Sequence, residues 1–351
     1  MPRSPRPIVI NGKWLAANPT GVQRYSGELA RRILERDAEA RVIVPVDAAL
    51  PEWLAEARVV RSRARGAVFE QLALPWHARG RLLLSLAASG PLVVREQLIV
   101  MPDALAVRYP ETFSRVFVLW YALMYRVLVR WARHVGTISE FSRRELSEVL
   151  RVPPSRFTVI TAGHEHALAP RAEPTDPELL AAIAEPYILC LGSLTPSKNL
   201  APVTRALAEA GVRVVVVGAS GVKRVYAEEI GLAAPGIHLA GRLSDAELLH
   251  VLASACALVF PSLYEGFGLP LVEAQAVGCP VIASDRGSIP EVGGDSALYF
   301  DALDPASAVA LVTGLDAAER MRLIALGREN VARYTWVASA ELILDIVGPP
   351  R

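Results

Sequence analysis

The second half of the chain alternates short apolar runs with stretches of helical periodicity. The runs are almost free of polar residues, as strands buried on both faces of a parallel sheet are. They are Tyr187–Gly192, Val212–Gly218, Ile237–Ala240, Ala257–Pro261, Pro280–Ser284 and Ala297–Phe300. Ser244 with Glu247 predicts a helix start between them, Asp316 with Glu319 predicts another, and Gly278 marks a helix end. The alternation predicts βαβ units and a doubly wound parallel sheet.

The first half repeats this alternation less regularly. Its predicted strands are Pro7–Ile10, Arg41–Val46, Gln97–Met101, Val135–Ile138 and Phe157–Ile160. Thr20 with Gln23 predicts the start of a helix that buries one apolar face. That face consists of Val22, Tyr25, Leu29 and Ile33. Ser142 with Glu145 predicts a second helix start.

The stretch Ala169–Pro186 separates the two halves and contains four prolines and several acidic residues. We interpret this composition as a linker. We therefore expect an α/β protein of two Rossmann-like, doubly wound domains, residues 1–170 and 186–335, that face a central cleft where ligands bind. A length of 351 residues agrees with two domains.

The composition is globular, with 52% apolar and 21% charged residues, and the net charge of +1 argues against strong bulk attraction to nucleic acid or membrane. Cys190, Cys256 and Cys279 stand singly and lack metal-ligand spacing, so we expect a reducing, cytoplasmic compartment. The opening Pro2–Pro7 is polar and does not resemble a signal peptide. No apolar run reaches the roughly 18 residues that a membrane-spanning helix needs.

Charge is divided unevenly between the halves. Residues 1–186 hold 25 Lys and Arg against 19 Asp and Glu, a net charge of +6, whereas residues 187–351 hold 12 against 17, a net charge of −5. Of the 37 basic residues 34 are arginine, and the three lysines are Lys13, Lys198 and Lys223. Because lysine is so rare here, a specific role for each lysine gains weight.

The segment PSLYEGFGLPLVEAQAVG, residues 261–278, contains two glutamates with seven residues between them, Glu265 and Glu273. It follows a predicted strand and opens a helix, where Gly266 and Gly268 let backbone amides approach a ligand. Each carboxylate can accept two hydroxyl hydrogen bonds, which suits recognition of a polyol. The alternative is that Glu273 only complements the helix dipole and that Glu265 is a solvated loop charge.

A second segment, GSLTPSKN at residues 192–199, follows the strand Tyr187–Gly192 directly. It places Lys198 at the carboxyl edge of the predicted sheet, but it lacks the Gly-Lys-Ser/Thr ending of a Walker loop. Lys198 at this position suits a diphosphate as a point charge. The alternative is a solvated lysine at a helix start.

These two segments resemble the signatures of family 4 (group 1) glycosyltransferases of the GT-B fold. The resemblance covers nearly the whole chain and is strongest from Arg133 to Phe300. Further similar segments are Ser139–Leu146, Gly241–Leu248 and Ile289–Phe300. In the first half, Thr20–Tyr25 resembles the glycine loop of members that act on bacterial surface polysaccharides, often mannosyltransferases. The family resemblance implies an acceptor-side domain at 1–170, a nucleotide-sugar domain at 186–335, and a C-terminal helix, 336–351, that crosses back to the first domain.

The resemblance also implies roles for individual residues. Glu273 would bind the ribose of the donor, Glu265 would face the transferred sugar, and Lys198 would hold the diphosphate. The other implied donor contacts are Gly21, Ser193, Arg242, Leu243, Gly266, Phe267, Gly268 and Leu269. Many relatives carry an arginine where this chain has Ser193, so Lys198 would carry more of the charge.

One departure from the family concerns the end of the strand Gln97–Met101. Relatives usually carry a His-Asp pair there, with the histidine beside the reacting sugar, whereas this chain has Pro102 and Asp103. Asp103 is retained as a catalytic candidate. Three interpretations are open: His164 or His166 replaces the missing group on the acceptor side, the enzyme tolerates the loss, or catalysis is weakened.

The implied reaction is transfer of a hexose, with mannose favoured, from a nucleoside-diphosphate sugar such as GDP-mannose, with retention of configuration. The leaving nucleoside diphosphate gains negative charge, which preorganised groups must stabilise. No Asp-x-Asp pair is present, so we expect neither a metal nor a separate cofactor.

The acceptor is less well defined by the sequence. The resemblance implies a glycan or lipid-linked glycan, and no nucleic acid. Arginines in the first half and the pattern around Val116–Trp131 allow peripheral contact with an anionic membrane at its inner face. The alternative is an arginine-rich solvated surface with a core helix beneath it.

Three other functions remain open. A nicotinamide oxidoreductase is suggested by Val214–Gly221, but the G-x-G-x-x-G spacing fails and no ribose-binding acid follows at the usual distance. A sugar-nucleotide epimerase of the same two-domain fold is the second. A catalytically weakened protein that binds sugar nucleotides without turnover is the third, and Pro102 motivates it.

Overall fold

The computed structural model describes residues 7–18, 20–218 and 234–348. This part of the chain contains thirteen strands and ten helices of seven residues or more. The strands are β1 Ile8–Asn11, β2 Arg41–Val44, β3 Val59–Arg61, β4 Leu82–Ser85, β5 Gln97–Val100, β6 His134–Thr137, β7 Thr158–Val159, β8 Ile188–Leu191, β9 Val214–Val217, β10 Ile237–Gly241, β11 Ala257–Phe260, β12 Val281–Ser284 and β13 Leu298–Phe300. The helices are α1 Gly21–Arg36, α2 Arg115–Trp131, α3 Glu140–Leu150, α4 Pro177–Ile183, α5 Leu200–Glu209, α6 Asp245–Ser254, α7 Leu269–Ala276, α8 Pro305–Thr313, α9 Ala317–Val331 and α10 Trp336–Val347.

Shorter helical turns connect these elements. They are Gly12–Ala16, Glu56–Arg58, Gly66–Val68, Phe69–Ala73, Leu74–His77, Leu105–Arg108, Pro110–Thr112, Pro154–Arg156, Glu165–Leu168, Pro196–Lys198, Ile289–Gly293 and Gly294–Ser296. The turn Phe69–Ala73 has π-helical hydrogen bonding. Such turns are rare in proteins, and those that occur often lie at functional sites.

The chain forms two units, each built on a parallel sheet. The first unit comprises the residues up to Ala162 and those from Thr335 onward, and the second comprises Gly163–Tyr334. The first sheet has the strand order β3-β2-β1-β4-β5-β6-β7, and the second has the order β10-β9-β8-β11-β12-β13. Within each sheet the neighbouring strands pair in parallel, so both units are doubly wound α/β domains.

The first unit buries its sheet beneath helices that include the last one of the chain. α10 packs on α1, where the Tyr25 and Trp336 rings meet edge to face with centroids 5.7 Å apart. The Tyr25 hydroxyl donates to the Ile160 carbonyl at 2.8 Å, and the Ser339 hydroxyl donates to the Thr161 carbonyl at 2.8 Å. These contacts attach the C-terminal helix to the first unit.

The second unit packs α5 and α8 against the sheet around a continuous apolar cluster. Val203 and Leu207 of α5 are fully buried there, and so are Val214 and Val216 of β9. Strands that are apolar on both faces can lie only between two layers of helices, which explains why their sequences showed no alternation.

All eleven predicted strands are present within two residues of their expected ends, whereas β3 and β4 were not predicted. β4 is the leucine run Leu82–Ser85, and leucine favours helices as much as strands. β3 has only three residues, none of them buried, at the edge of the sheet. The leucine run of β4 therefore gave no strand signal, and the two valines of β3 form a run too short to predict a strand.

The helix starts agree with expectation in part. Ser244 and Glu247 form the predicted capping box, and Asp316 accepts from the Glu319 amide. Thr20 precedes α1, but its hydroxyl bonds to the Gln23 side chain instead of a backbone amide.

The predicted cap at Ser142 is wrong. α3 begins three residues earlier than that cap implies, because the Ser139 side chain accepts from the Ser142 amide and so occupies the capping position itself.

The predicted linker also differs from the structure. The first unit ends at Ala162 instead of residue 170, and Ala169–Pro186 lies in the second unit and contains α4. Pro177 stands in the first turn of that helix, where its missing amide costs nothing, and the Asp176 side chain caps it. Pro177 therefore marks a helix start, whereas Pro170, Pro174 and Pro186 lie outside helices and strands on either side of α4.

The opening residues 2–6, Lys223 and the end of the segment compared with a dinucleotide-binding turn, residues 219–221, lie outside the described residues. Among the helices that are described, none is long and apolar enough to cross a membrane.

Candidate active site

Lys198 and Glu265 form an ion pair at the carboxyl edge of the second sheet. β8 and β11 are neighbouring parallel strands, so the segments that follow them, which carry these two residues, meet at one edge. Lys198 Nζ donates to Glu265 Oε1 at 2.5 Å, and the Ser262 hydroxyl donates to the same oxygen at 2.7 Å. The Glu265 side chain is 12% exposed and the Lys198 side chain 28% exposed, so a ligand can reach both.

The pair leaves hydrogen-bonding capacity unused. Within the described ranges, Glu265 Oε2 accepts no hydrogen bond and Lys198 Nζ donates only to Glu265. A carboxylate has about four acceptor positions and an ammonium has three protons. The site can therefore bind a hydroxyl through Glu265 and an anion through Lys198.

The loop after β12 fixes the backbone of Glu265. The Ser288 amide and hydroxyl both donate to the Glu265 carbonyl, at 3.2 and 3.0 Å. Gly287 has φ +65°, and a Cβ there would lie 2.9 Å from the Glu265 amide nitrogen. Only glycine fits this close approach, so three strand ends, those of β8, β11 and β12, define the position of Glu265.

Glu273 lies on α7 and is nearly buried. Its Oε1 is 2.8 Å from Nε2 of His166, in the turn Glu165–Leu168, and the two side chains are 8% and 7% exposed. A buried carboxylate needs such a partner, and which group carries the proton depends on the histidine tautomer. His166 thereby fixes the orientation of Glu273.

The two histidines proposed as acceptor-side candidates both lie in the second unit. His164 Nδ1 is 2.8 Å from the Tyr334 carbonyl oxygen, and His166 contacts Glu273. One ring nitrogen of each histidine thus has a hydrogen-bond partner in the second unit, which also holds Lys198 and Glu265. A role of either histidine toward an acceptor stays a prediction.

The segment Gly266–Leu269 leads into α7. Gly268 is its N-cap residue with φ +89°, and a Cβ there would touch Phe260 at 3.4 Å. Phe267 is buried edge to face against Tyr334, with ring centroids 5.3 Å apart. The buried ring anchors the turn, so the backbone amides around it are held in place.

The remaining residues predicted in the second unit lie at the same edge of the sheet. Ser193 is exposed and its hydroxyl is 3.2 Å from the Thr195 hydroxyl. Arg242, exposed, and Leu243, half-buried, follow β10 directly. They extend the site toward the outer strand β10, two places from β8.

Gly21 and Asp103 belong to the first unit, whereas the Lys198–Glu265 ion pair belongs to the second. Gly21 opens α1 and is exposed. Asp103 Oδ1 accepts from the Leu105 amide at 2.8 Å and so supports the short helix Leu105–Arg108. Pro102 is buried, and its carbonyl accepts from the Thr137 hydroxyl at 3.3 Å.

Residues 174–322 match the family model described as "Glycosyl transferases group 1". The chain resembles the group 1 glycosyltransferases. The matched region contains Lys198, Glu265 and Glu273, and its sheet and helices are those of a Rossmann-like domain. The fold expected from the sequence, GT-B with two Rossmann-like domains, is confirmed.

Two curated relatives illustrate the group 1 resemblance. The chain is 29% identical over 219 residues to O-antigen chain mannosyltransferase B of Escherichia coli, which covers 58% of each protein. It is 33% identical over 180 residues to the MMP alpha-(1->4)-mannosyltransferase of Mycolicibacterium hassiacum, covering 50% of this chain and 43% of that protein. The chain thus matches about half the length of these group 1 relatives.

Solved structures match over nearly the whole chain but at low identity. Anabaena HepE, solved with UDP and glucose, has a TM-score of 0.74 at 20% identity and covers 97% of this chain and 98% of its own. Sucrose-phosphate synthase of Thermosynechococcus elongatus has a TM-score of 0.74 at 19% identity, with 96% and 97% covered. These likenesses show the fold.

The first unit holds a polar cluster that the sequence analysis did not predict. Glu70, on the π-helical turn, is only 2% exposed. Lys13 Nζ donates to its Oε2 at 2.8 Å, and the Ser89 hydroxyl donates to its Oε1 at 2.5 Å. The rarity of lysine drew attention to Lys13, but nothing in the sequence identified Glu70 as its partner 57 residues away.

Among the described residues, no group of three or more His, Cys, Asp or Glu side chains could hold a metal ion. Independence from metal stays a prediction.

The thiols of Cys190 and Cys279 are buried, and burial raises the pKa of each to about 12, so both remain protonated.

Proposed function

We propose that this protein is a metal-independent glycosyltransferase that transfers a hexose with retention of configuration. The donor is a nucleoside-diphosphate sugar, with GDP-mannose favoured, and the acceptor is a glycan or lipid-linked glycan of bacterial polysaccharide biosynthesis. The observation that carries the proposal is the Lys198–Glu265 pair, with unused acceptor and donor positions, at the same sheet edge as Glu273. The names of the mannosyltransferase relatives support the choice of sugar.

In the proposed donor site, each polar side chain binds one part of the nucleotide sugar. Glu273, oriented by His166, accepts hydrogen bonds from the ribose hydroxyls. Lys198 binds the diphosphate, helped by the Ser193 hydroxyl and by backbone amides of Gly266–Leu269. Glu265 accepts from the hexose through Oε2, and the segment at Arg242 and Leu243 contacts the base.

The proposed chemistry is front-face transfer. The bond between the sugar C1 and the phosphate oxygen breaks as C1 bonds to the acceptor oxygen on the same face, and the acceptor proton passes to the leaving phosphate. Negative charge grows on the diphosphate, so the Lys198 interaction strengthens in the transition state and accelerates the step. Neither Glu265 nor Glu273 forms a covalent bond to the sugar.

A second candidate is a sugar-nucleotide-binding protein with weakened catalysis. Pro102 favours it, because a buried proline offers no side-chain hydrogen bond where the family resemblance implies a histidine. A sugar-nucleotide epimerase would use the same donor site without an acceptor. Product analysis separates these candidates from the transferase.

The first experiment is thermal unfolding with GDP, UDP, ADP, dTDP and NADH, each tested separately. A nucleoside diphosphate at 100 times its dissociation constant should stabilise the protein by about 2.7 kcal/mol, and we expect GDP to act most strongly. Glu273→Ala should remove the effect, whereas Glu329→Ala, an exposed glutamate of the same unit, should preserve it. Stabilisation by NADH but by no nucleoside diphosphate would contradict the proposal.

Product analysis then follows with GDP-mannose and a mannoside acceptor. An α-linked product means retention, free mannose alone means hydrolysis, and an altered donor sugar means epimerisation. Addition of EDTA should leave the rate unchanged. A rate that falls with EDTA and returns with a divalent cation would overturn metal independence.

We also propose that the protein works in the cytoplasm and contacts the inner face of an anionic membrane through α2. Leu119, Val116 and Leu123 are 72%, 78% and 52% exposed on this helix, and exposed Arg115 and Arg126 flank them. Co-sedimentation with anionic vesicles that is lost at high salt and in Leu119→Glu would support the contact. Equal binding to neutral vesicles would contradict the role of charge.

A further inference from the structure

The first unit contains a cavity of about 180 Å³ beside the end of β5. Pro102 and Asp103 form one side of it, residues of α2 form another, and Leu146 of α3 contributes to a third. Every lining residue belongs to the first unit. The cavity is therefore a property of this unit alone.

The cavity wall is almost entirely apolar. A continuous aromatic row from Phe113 through Phe117 and Tyr121 to Tyr125 contributes to it, with ring centroids 5.0, 4.6 and 5.0 Å apart. A cavity of about 150 Å³ lined by Leu, Ile and Phe binds benzene. This cavity can therefore hold on the order of six carbons.

Two features give the cavity a polar end. The Asp103 carboxylate contributes to its wall and is half-buried. Burial raises the pKa of the Tyr121 hydroxyl above its usual range, and the nearby carboxylates of Asp103 and Glu70 raise it further. The Tyr121 hydroxyl, which also hydrogen-bonds with Tyr125, thus stays protonated. Tyr121 and Asp103 both line the cavity, and these two polar groups suit a ligand with one polar and one apolar end.

The cavity also adjoins an apolar surface. Phe117 contributes to the cavity wall and is 38% exposed, and its neighbours Val116, Leu119 and Trp120 are exposed on α2. A chain that leaves the cavity past Phe117 meets apolar side chains instead of open water. A free sugar would have no partners for its hydroxyls against such walls, so it fits the cavity poorly.

We propose that this cavity binds the first carbons of the hydrocarbon chain of a lipid-linked acceptor, with Asp103 at the junction between chain and sugar. This inference rests on the proposed glycosyltransferase function and narrows its acceptor class. It also gives Pro102 a positive role, because proline supplies an apolar wall where an imidazole would place a polar one.

The test is calorimetric titration of the whole chain with alkyl α-mannosides from methyl to decyl, below their micelle concentrations. The dissociation constant should fall about three- to fourfold per methylene up to about six carbons and then level off. Val107→Phe should remove the dependence on chain length by filling the cavity, and Val149→Phe should do the same from α3. Val93→Phe, an exposed valine of the same unit outside the cavity, should leave it intact.

Two results would overturn the inference. One is a dissociation constant that does not change with chain length. The other is a chain-length dependence that survives both folded filling variants, verified by circular dichroism, because the chain would then bind elsewhere on the surface.

Nucleoside-diphosphate binding is measured on the same samples to separate the two proposals. Normal nucleotide binding and transfer with no chain-length dependence would overturn the cavity inference alone. Chain-length dependence without nucleotide binding would overturn the proposed function and leave the hydrocarbon specificity of the cavity established.

Discussion

Each unit holds a lysine–glutamate pair near the carboxyl edge of its sheet, yet the two pairs differ in what they leave unused. In the first unit, both oxygens of Glu70 accept hydrogen bonds, Oε1 from Ser89 and Oε2 from Lys13 and Gln71. In the second unit, the two bonds to the Glu265 carboxylate from described residues both go to Oε1. We call a pair saturated when both carboxylate oxygens accept hydrogen bonds within the protein. A saturated pair stabilises a fold, whereas an unsaturated pair at a sheet edge can bind a ligand.

The largest effect that this comparison predicts is on turnover. Lys198→Ala removes the side-chain cation proposed to meet the leaving diphosphate, so kcat for transfer should fall by about 10²–10³. Arg205→Ala, an exposed cation of α5, is the matched control and should change kcat less than twofold. Steady-state kinetics with saturating donor would measure both. A fall of less than fivefold for Lys198→Ala would remove Lys198 from the proposed mechanism.

The next effect concerns the free energy of unfolding, to which Lys13 should contribute more than Lys198. Lys13→Ala leaves a carboxylate that is only 2% exposed without its cation, so we expect a loss of about 1–3 kcal/mol in the free energy of unfolding. Lys198→Ala should cost less, because Glu265 keeps Ser262 and contact with water. Urea unfolding of both variants would show this order. An equal loss would mean that saturation does not distinguish the pairs.

The smallest effect concerns the orientation of Glu273. His166→Ala removes one partner of this buried carboxylate, so donor affinity should weaken about 2- to 10-fold without a change in kcat. His166→Gln retains a donor and should recover part of the loss. Calorimetry with GDP would measure the affinities. A glutamine variant no better than alanine would indicate that the ring contributes packing and not the hydrogen bond.

The sequence predicted most of the second unit and less of the first for a physical reason. Strands β8–β13 are short and largely apolar, and most of them contain valine or isoleucine, so their local composition predicts them. β4 is a leucine run and β3 a three-residue edge strand with no buried residue, and tertiary packing decides the structure of both. Likewise the segment with α4 resembled a linker because proline signals a helix start and a loop alike.

The candidate site divides in the same way. Glu265, Glu273 and Lys198 lie in segments whose residue types and spacing are informative along the chain. The partners that orient or saturate the carboxylates are distant, with His166 107 residues from Glu273 and Lys13 57 residues from Glu70. No local pattern encodes such pairs, because the sheet topology brings them together. The cavity beside Pro102 is lined by several segments that are distant in sequence, so no local pattern could predict it either.

The attachment of α10 to the first unit has a consequence for biosynthesis. The first unit is discontinuous in sequence, and Trp336, fully buried against Tyr25, is made only after the entire second unit has been translated. While the ribosome completes residues 163–334, the face of α1 that α10 will cover remains open to solvent or to chaperones. The second unit is continuous and can fold first, so the nascent chain completes its domains in the reverse of their order from the N-terminus.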